Sequence, residues 1–543
     1  MPSDPGDRLE SWKAIAAYLK RSVRTVRRWE REEGLPVHRH VHKALGRVHA
    51  TKSELDAWRE RALRGPAAPA PDRAASERTK AIAVLPFANL STEAENEYFA
   101  DGLTDEVTAT LSKVRSLRVT SGTSSRRFRG TTKAVHAIAA ELGVRCLLEG
   151  SVRRAGNRLR ITAQLIDAST DDHVWADTYD GTLEDVFAIQ ERLARVIVEA
   201  LQVRLTADEE ERLAERSIHD LAAYECYLRA RQEGWRWRKD AIDRAVHLLR
   251  DALAIIGDNA RLYAALGLAY LQYREAGIDF GDRPLVEAEK CAQKVFALGE
   301  ASGSGLQLRG WIHYSRAAVQ EAVRDLKAAL DIDPSNADTL LLLSNCYLIS
   351  GKVSAARPLI ARLVSVDPLT PVTRCMPAWA DILDGDFAAA LAPYRQMFEM
   401  DPANPMARLF YIWVLVLNGQ GDAVHALLQG FEPEVRDTVP ARISFFLGHA
   451  LAGRRREAQA ALTERIEAVA TAADVFPRMI AQGFALAGMH EPAMRWLQVA
   501  VDRGFINYPF LARHDPFFEP LRNDPRFKQL LGVVHERWET FAA

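Results

Sequence analysis

The sequence predicts a multidomain chain: a small winged helix-turn-helix at the N-terminus, an α/β domain in the middle and an all-α solenoid behind it. Three observations lead there. First, 543 residues exceed what one core encloses at roughly 100–200 residues per domain, and 48% hydrophobic with 26% charged residues is a globular composition. Second, residues 8–64 hold 15 Lys/Arg against 7 Asp/Glu although the whole chain carries only −1, so the positive charge is local. Third, Asp333-Pro334, Asp367-Pro368 and Asp401-Pro402 stand 34 residues apart, twice in succession. The expected divisions are 8–64 (winged helix-turn-helix), 65–78 (Pro/Ala linker), 79–206 (α/β domain) and 219–535 (repeat solenoid).

In the basic segment, Trp12, Ile15, Ala16 and Leu19 fall at i, i+3, i+4 and i+7, one face of a first helix. Lys20-Arg21-Ser22 makes a turn, and Ser22 can cap a second helix over Val23–Glu33. Helical spacing groups Val23, Val26, Trp29 and Glu30 on one side and turns Arg24, Thr25, Arg28 and Arg31 the other way, until Gly34 ends the helix. Val37–His42 and Arg47–Ala50 bracket Lys43-Ala44-Leu45-Gly46 as a basic hairpin, the wing, and Lys52–Arg61 returns as a helix with Leu55 and Trp58 inward. A second helix with a basic outer face behind a tight turn is the arrangement that enters a major groove, so the implied partner is double-stranded DNA. Guanidinium groups bond bidentately to guanine edges and neutralise phosphates. Arg24 and Arg28 are the base-reading candidates, Ser22 and Thr25 stand beside them, and Arg27, Arg31, Arg39, Lys43 and Arg47 are placed on phosphates.

Thr25-Val-Arg-Arg-Trp-Glu30 followed by Gly34-Leu35, in the order helix, turn, helix, wing, helix, resembles the MerR and excisionase winged-helix group over about 55 residues. The resemblance implies that Arg27 and Arg28 lie beside the DNA backbone and groove, that Trp29 supports the helix from inside, and that Arg39 and Arg47 on the wing reach phosphates. No effector-binding segment or dimerising coiled coil of the MerR kind follows it. A module this small usually binds as a pair, so a homodimer or adjacent sites are expected. His38, His40 and His42 alternate, and on a strand all three would share one face as nitrogen donors for zinc; no fourth ligand accompanies them. Their expected place is flanking DNA or against Trp58, and no metal or cofactor is expected.

Gly65-Pro-Ala-Ala-Pro-Ala-Pro71 favours extended, solvated chain and reads as a linker. The middle region opens with the apolar run Ala81-Ile-Ala-Val-Leu-Pro-Phe87, a buried strand, followed by a helix from about Glu97, a strand at Leu117–Thr120 and a helix near Ala134–Leu142. Two alternating runs joined by Ala155-Gly156-Asn157 pair as a hairpin, with Leu159, Ile161, Ala163 and Leu165 on the buried face. His173–Tyr179 adds a strand, and Leu183, Val186, Gln190, Leu193, Ile197 and Leu201 lay a closing helix on the sheet. Asp101, Asp105 and Glu106 near a helix start read as capping carboxylates. Ile82-Ala-Val-Leu-Pro-Phe87, Tyr98-Phe-Ala-Asp-Gly102, Leu148-Glu-Gly-Ser-Val-Arg153 and Gln164-Leu-Ile-Asp-Ala168 with Trp175-Ala176 resemble the TolB-like amino-terminal module that precedes repeat arrays in bacterial regulators and some cyclase-associated proteins. That implies a fold and a regulatory setting and transfers no chemistry.

From Leu221 strand signals cease. The 34-residue period is that of the helix–turn–helix repeat called tetratricopeptide, and the small residue expected twelve before each proline is present as Ala322, Ala356 and Ala390. Tyr263, Leu266, Gly267 and Tyr270 mark an earlier unit, and Asp515-Pro516-Phe517 and Asp524-Pro525-Arg526-Phe527 close the stack, for about six to eight units. Stacked pairs leave a concave face suited to a protein or peptide, while Trp235, Trp237 and Trp311 are expected to fill seams.

The longest apolar run, Leu409–Leu417, is too short for a membrane span, and Met-Pro-Ser-Asp-Pro-Gly-Asp is no signal sequence, so a cytoplasmic protein is expected. The five scattered cysteines, without a C-x-x-C pair, read as reduced thiols. No G-x-x-x-x-G-K-[ST], G-x-S-x-G or H-E-x-x-H occurs, and Gly303-Ser-Gly305 lacks the preceding strand of a phosphate loop; no catalytic residue, and no enzyme, is expected. The implied function is a bacterial DNA-binding transcriptional regulator whose α/β domain couples DNA to the solenoid. The alternative is an interaction scaffold whose basic module never meets DNA.

Overall fold

The computed structural model describes residues 8–9, 11–19, 23, 26, 35–40, 47–52, 55, 80–91, 96–214, 218–236, 238–279, 281–299 and 302–543. The chain divides into two compact units, Met1–Arg78 and Thr79–Ala543.

In the first unit, Ser11 caps the helix Trp12–Tyr18, its hydroxyl accepting from the Ala14 amide at 3.1 Å. Ile15, Ala16 and Leu19 turn inward as their spacing predicts and meet Val26, Leu35, Ala50 and Leu55 in one small core. Three antiparallel strands, β1 (Arg8–Leu9), β2 (His38–His40) and β3 (Arg47–Thr51), run in the order β1-β3-β2. β1 has two residues, too few for alternation to signal it in sequence. The turn Lys20-Arg21-Ser22, the wing tip Lys43–Gly46, the second helix apart from Val23 and Val26, and the returning helix apart from Lys52 and Leu55 lie outside the described residues.

The second unit begins with a mixed sheet in the order β6-β4-β7-β8-β9, where β4 is Lys80–Val84, β6 Leu117–Val119, β7 Cys146–Ala155, β8 Arg158–Asp167 and β9 Asp172–Thr182; β5 (Ala88–Asn89) pairs with β7. β4 runs parallel to β6 and β7, and β7, β8 and β9 are antiparallel. Ala155 pairs with Arg158 across a two-residue turn, for which Gly156 takes a positive φ of 59°. The helices Glu97–Ser112 and Val186–Ala200 cover one face, burying Leu103, Val107, Leu193 and Ile197.

That core does not stop at the sheet. A single apolar cluster runs from Ile82 and Leu148 through Tyr224 and Leu228 to Leu308 and Ile312 of the repeats. The change of pattern near Ala207–His219 therefore marks a switch of secondary structure, with no gap in packing. The closest approach is at Gly102, where a Cβ would stand 2.6 Å from both methyl carbons of Leu228 on the helix Leu221–Gly234. Gly102→Val is expected to destabilise this unit by about 1–3 kcal/mol through overpacking, seen as an earlier denaturant midpoint with an unchanged slope.

Eight antiparallel helix pairs follow among the described residues, from Leu221–Gly234 with Lys239–Ile256 to Phe476–Leu486 with His490–Asp502, with an extra helix at Glu464–Ala472 and a final one at Pro525–Thr540. Ala322, Ala356 and Ala390 are fully buried, as close helix contact requires. Asp333, Asp367 and Asp401 each end a helix, and Asn336 and Asn404 cap the next by accepting from the amides of Thr339 and Ala407. Beyond residue 504 the chain returns to the middle of the array: the Ile506 amide donates to the Ile349 carbonyl at 2.9 Å, Asn507 Nδ2 to the Leu348 carbonyl at 2.9 Å and Trp538 Nε1 to the Gly351 carbonyl at 3.2 Å. All five cysteines are free, and among the described residues no helix is long and apolar enough to cross a membrane.

Candidate functional site

Two regions concentrate polar chemistry. The first is the basic N-terminal unit. Of the nine positions expected to meet DNA, Ser22, Arg24, Thr25, Arg27, Arg28, Arg31 and Lys43 lie outside the described residues. Arg39 and Arg47 sit on the paired strands β2 and β3, where Arg39 is opposite Val48 and His40 opposite Arg47. Val26 is fully buried and Val23 packs against the same core, on the side helical spacing assigns them. The rings of His38 and His49 lie 5.3 Å apart across the same strand pair.

The second region is a cavity of about 590 Å³ between the α/β domain and the repeats. Its floor is the helix Glu97–Ser112. Asp101, Asp105 and Glu106 are not caps: the helix starts at Glu97 behind Asn96, and these carboxylates lie further along it, each matched by an arginine. Asp101 pairs with Arg129, Asp105 with Arg126 and with Arg231 at 3.6 Å, and Glu106 accepts from Arg261 Nη2 through both oxygens at 2.5 and 2.6 Å. Arg231 and Arg261 also donate to the Tyr227 hydroxyl at 3.2 and 3.3 Å, and Arg126 stacks 3.8 Å over the exposed Trp235 ring. Trp235 is thus a cavity residue, Trp311 packs in the seam between two cores, and Trp237 lies outside the described residues. Burial lowers the pKa of Arg126 against the pull of Asp105; at Arg261 burial also opposes the charge, but Glu106 and Tyr227 outweigh it and the net shift is upward.

The opposite wall comes from the repeats. Asp333 accepts from Asn336 Nδ2 at 3.2 Å, while its Oδ1 is buried without a hydrogen-bond partner. Burial pushes the Asp333 carboxyl up, against the pull of Asn336, Ser112 and Lys113. Asp338 stands exposed in the first turn of the helix Ala337–Ile349, within reach of the charge of Arg231. The buried Thr120 hydroxyl at the end of β6 also lines the space and has no partner.

The spaced Asp-Pro turns seat the α/β domain beside this cavity. Asp367 is buried and accepts from the hydroxyls of Ser121, Ser124, Thr370 and Thr373, with 2.6 Å to Ser124 Oγ and 2.8 Å to both threonines. The Ser121 amide donates to the Val366 carbonyl at 2.7 Å, and Arg115 Nη2 to the Asp331 carbonyl at 2.9 Å. The arginine partners and Thr120 carry no sequence signal; on the repeat side of the cavity Asp333 stood out as part of the 34-residue period, Trp235 as an expected seam residue and Gly303-Ser-Gly305 as a rejected phosphate loop.

Residues 315–372 match the family described as tetratricopeptide repeat, and residues 78–196 match the one described as HilA/YgeH-like transcriptional regulator, second domain. The latter covers the segment whose motifs resemble the TolB-like module, under a different family description. Over 190 residues the chain is 45% identical to "Putative adenylate cyclase 3" of Rhizobium meliloti (strain 1021), a stretch that is 35% of this chain and 32% of that protein. The chain therefore spans about a third of the curated relative it matches. Similar solved structures include a thermophilic TPR protein of Thermus thermophilus (18% identity, 36% of this chain and 100% of that one, TM-score 0.30) and a tetratricopeptide repeat protein of Parabacteroides merdae ATCC 43184 (13%, 47% and 98%, TM-score 0.34). The expectation that the chain is no enzyme is overturned by the 45%-identical relative, which bears an enzyme's name. A missing motif was too weak a ground for excluding catalysis.

Proposed function

We propose that the chain is a cytoplasmic transcriptional regulator that binds double-stranded DNA through its basic N-terminal unit and a protein or peptide through its tetratricopeptide repeats. The observation that carries this reading is the match of residues 78–196 to the second domain of a transcriptional regulator, directly behind a segment with 15 Lys/Arg against 7 Asp/Glu. In this reading Arg24 and Arg28 read base edges with Ser22 and Thr25 beside them, and Arg27, Arg31, Arg39, Lys43 and Arg47 hold phosphates. The α/β domain couples the two functions, which its seat on two repeat turns and its shared core with the repeats support. A pair of chains on adjacent half-sites fits a module of this size.

The test is selection of bound fragments from random duplex DNA by the intact protein, followed by affinity measured against salt. An enriched sequence is expected, with a log–log salt slope of about −4 to −5 for five phosphate contacts. Arg24→Ala/Arg28→Ala should lose preference among duplexes, whereas Arg47→Ala should weaken all duplexes alike and flatten the slope by about 1. Absence of enrichment would favour the interaction scaffold.

A second reading rests on the 45%-identical relative: nucleotide chemistry by this chain. Incubating the purified protein with ATP and magnesium and measuring cyclic AMP decides it, and sustained turnover would establish an activity beside, or in place of, DNA regulation.

A further inference from the structure

We infer that the inner face of the repeat array is occupied by the chain's own segment Glu464–Val475, whose place a carboxylate-bearing peptide partner takes on binding. This rests on the reading that the repeats bind a protein or peptide, and it says how that site is regulated. The segment is the extra helix Glu464–Ala472 with the loop behind it, an interruption in the alternation of helix pairs. It reaches far back along the chain. Arg274 Nη2 donates to the Ala472 carbonyl at 3.1 Å and the Tyr314 hydroxyl donates to the Asp474 carboxylate, across 198 and 160 positions. Arg274 and Tyr314 belong to Ala260–Glu275 and Gly303–Ser315, the first helices of the second and third pairs. Elements several pairs apart meet only on the side toward which an array curls, so these contacts lie on its inner face.

The seat has a defined polarity. Trp379 Nε1, which can only donate, bonds Asn345 Oδ1 at 3.4 Å and so fixes that amide, whose Nδ2 donates to the Tyr314 oxygen at 2.8 Å. The Tyr314 proton is left to point onward, and the place it meets must supply an acceptor. Arg274 makes the same demand, and so does Arg503, whose Nε donates to the Thr471 carbonyl at 2.8 Å. The chain's own occupant is held lightly: Asp474 is exposed, and within the extra helix only Ile466 and Ala470 are buried. The charges of Asp338 and Asp474 both act on Glu275. This crowding lowers the cost of releasing Asp474 and is unchanged when one carboxylate replaces another. Asn507 and Phe510 of the later return are buried, so the array stays closed there when the segment leaves.

The test is fluorescence polarisation of the full chain with a labelled synthetic peptide copying residues 464–477, and with the Asp474→Asn form of that peptide. A tethered occupant competes at an effective concentration on the order of millimolar, so wild type should bind the peptide weakly and Asp474→Ala about tenfold or more tightly. The Asp474→Asn peptide, and the protein Asp474→Ala/Tyr314→Phe, should each lose that gain. Bound peptide should also quicken amide hydrogen exchange in Glu464–Ala472 and leave β8 unchanged. Asp474 is exposed, so its truncation keeps the fold, which far-UV circular dichroism verifies. Wild-type binding as tight as that of Asp474→Ala would overturn the self-occupancy and leave peptide binding by the repeats standing. A gain that survives Tyr314→Phe would overturn the assigned seat, and no binding by either protein would overturn both.

Discussion

Asp367→Ala is expected to lower the stability of the second unit by at least about 3 kcal/mol, the largest single-site loss in the junction. One buried carboxylate there accepts from four hydroxyls, two in the α/β domain and two in its own turn. Truncation leaves the donors Ser124 and Thr373 with exposures of 0% and 1% and no water to replace the lost acceptor. The damage should be local first: amide hydrogen exchange in the helix Gly122–Arg126 should quicken before that of β8. Asp401→Ala is the matched control, since it has the same place in the repeat but lies exposed, and it should cost under about 0.5 kcal/mol. Equal melting temperatures for the two variants would show that Asp367 does not hold the junction.

The second large effect concerns Asp515, which is 0% exposed and whose carboxyl burial pushes up to about 6, against the pull of Gln482 Nε2 at 2.7 Å, the Phe517 amide at 3.0 Å and the charge of Arg478. The folded value stands above the ordinary 3.8, so between those two the native state holds a proton that the unfolded chain lacks. Stability from this group is then fully present below pH 3.8 and is lost as pH rises through about 6. The stability difference between wild type and Asp515→Asn should therefore shift by about 2 kcal/mol between about pH 4 and pH 6, with wild type relatively weaker at the higher pH. Denaturant titrations at the two pH values measure it, and a constant difference would refute it.

What could be read from sequence was local. The 34-residue period of the Asp-Pro turns, the turn at Gly156 and the alternation of Leu159, Ile161, Ala163 and Leu165 each depend on residues close along the chain, and each locates its element. The order of repeats and strands followed. What escaped were partnerships between distant residues: Glu106 with Arg261, Ser124 with Asp367, Ile506 with Ile349. The carboxylates of Asp101, Asp105 and Glu106 stood close to a helix start, and without those partners capping was the natural reading. The same limit hid the continuity of the core across residue 207, because apolar periodicity says which face is buried and not against what. For the N-terminal unit, spacing alone assigned Val23 and Val26 to the interior.

The return of residues beyond 504 to the middle repeats has a consequence for biosynthesis. The Leu348 carbonyl receives its donor from Asn507, 159 residues later. At roughly 5–20 residues per second, a ribosome takes on the order of 10–30 s to supply that donor, and it must then clear the exit tunnel. Throughout that interval the central helices stand half-finished on the nascent chain, open to chaperones, until the later segment emerges and docks on them.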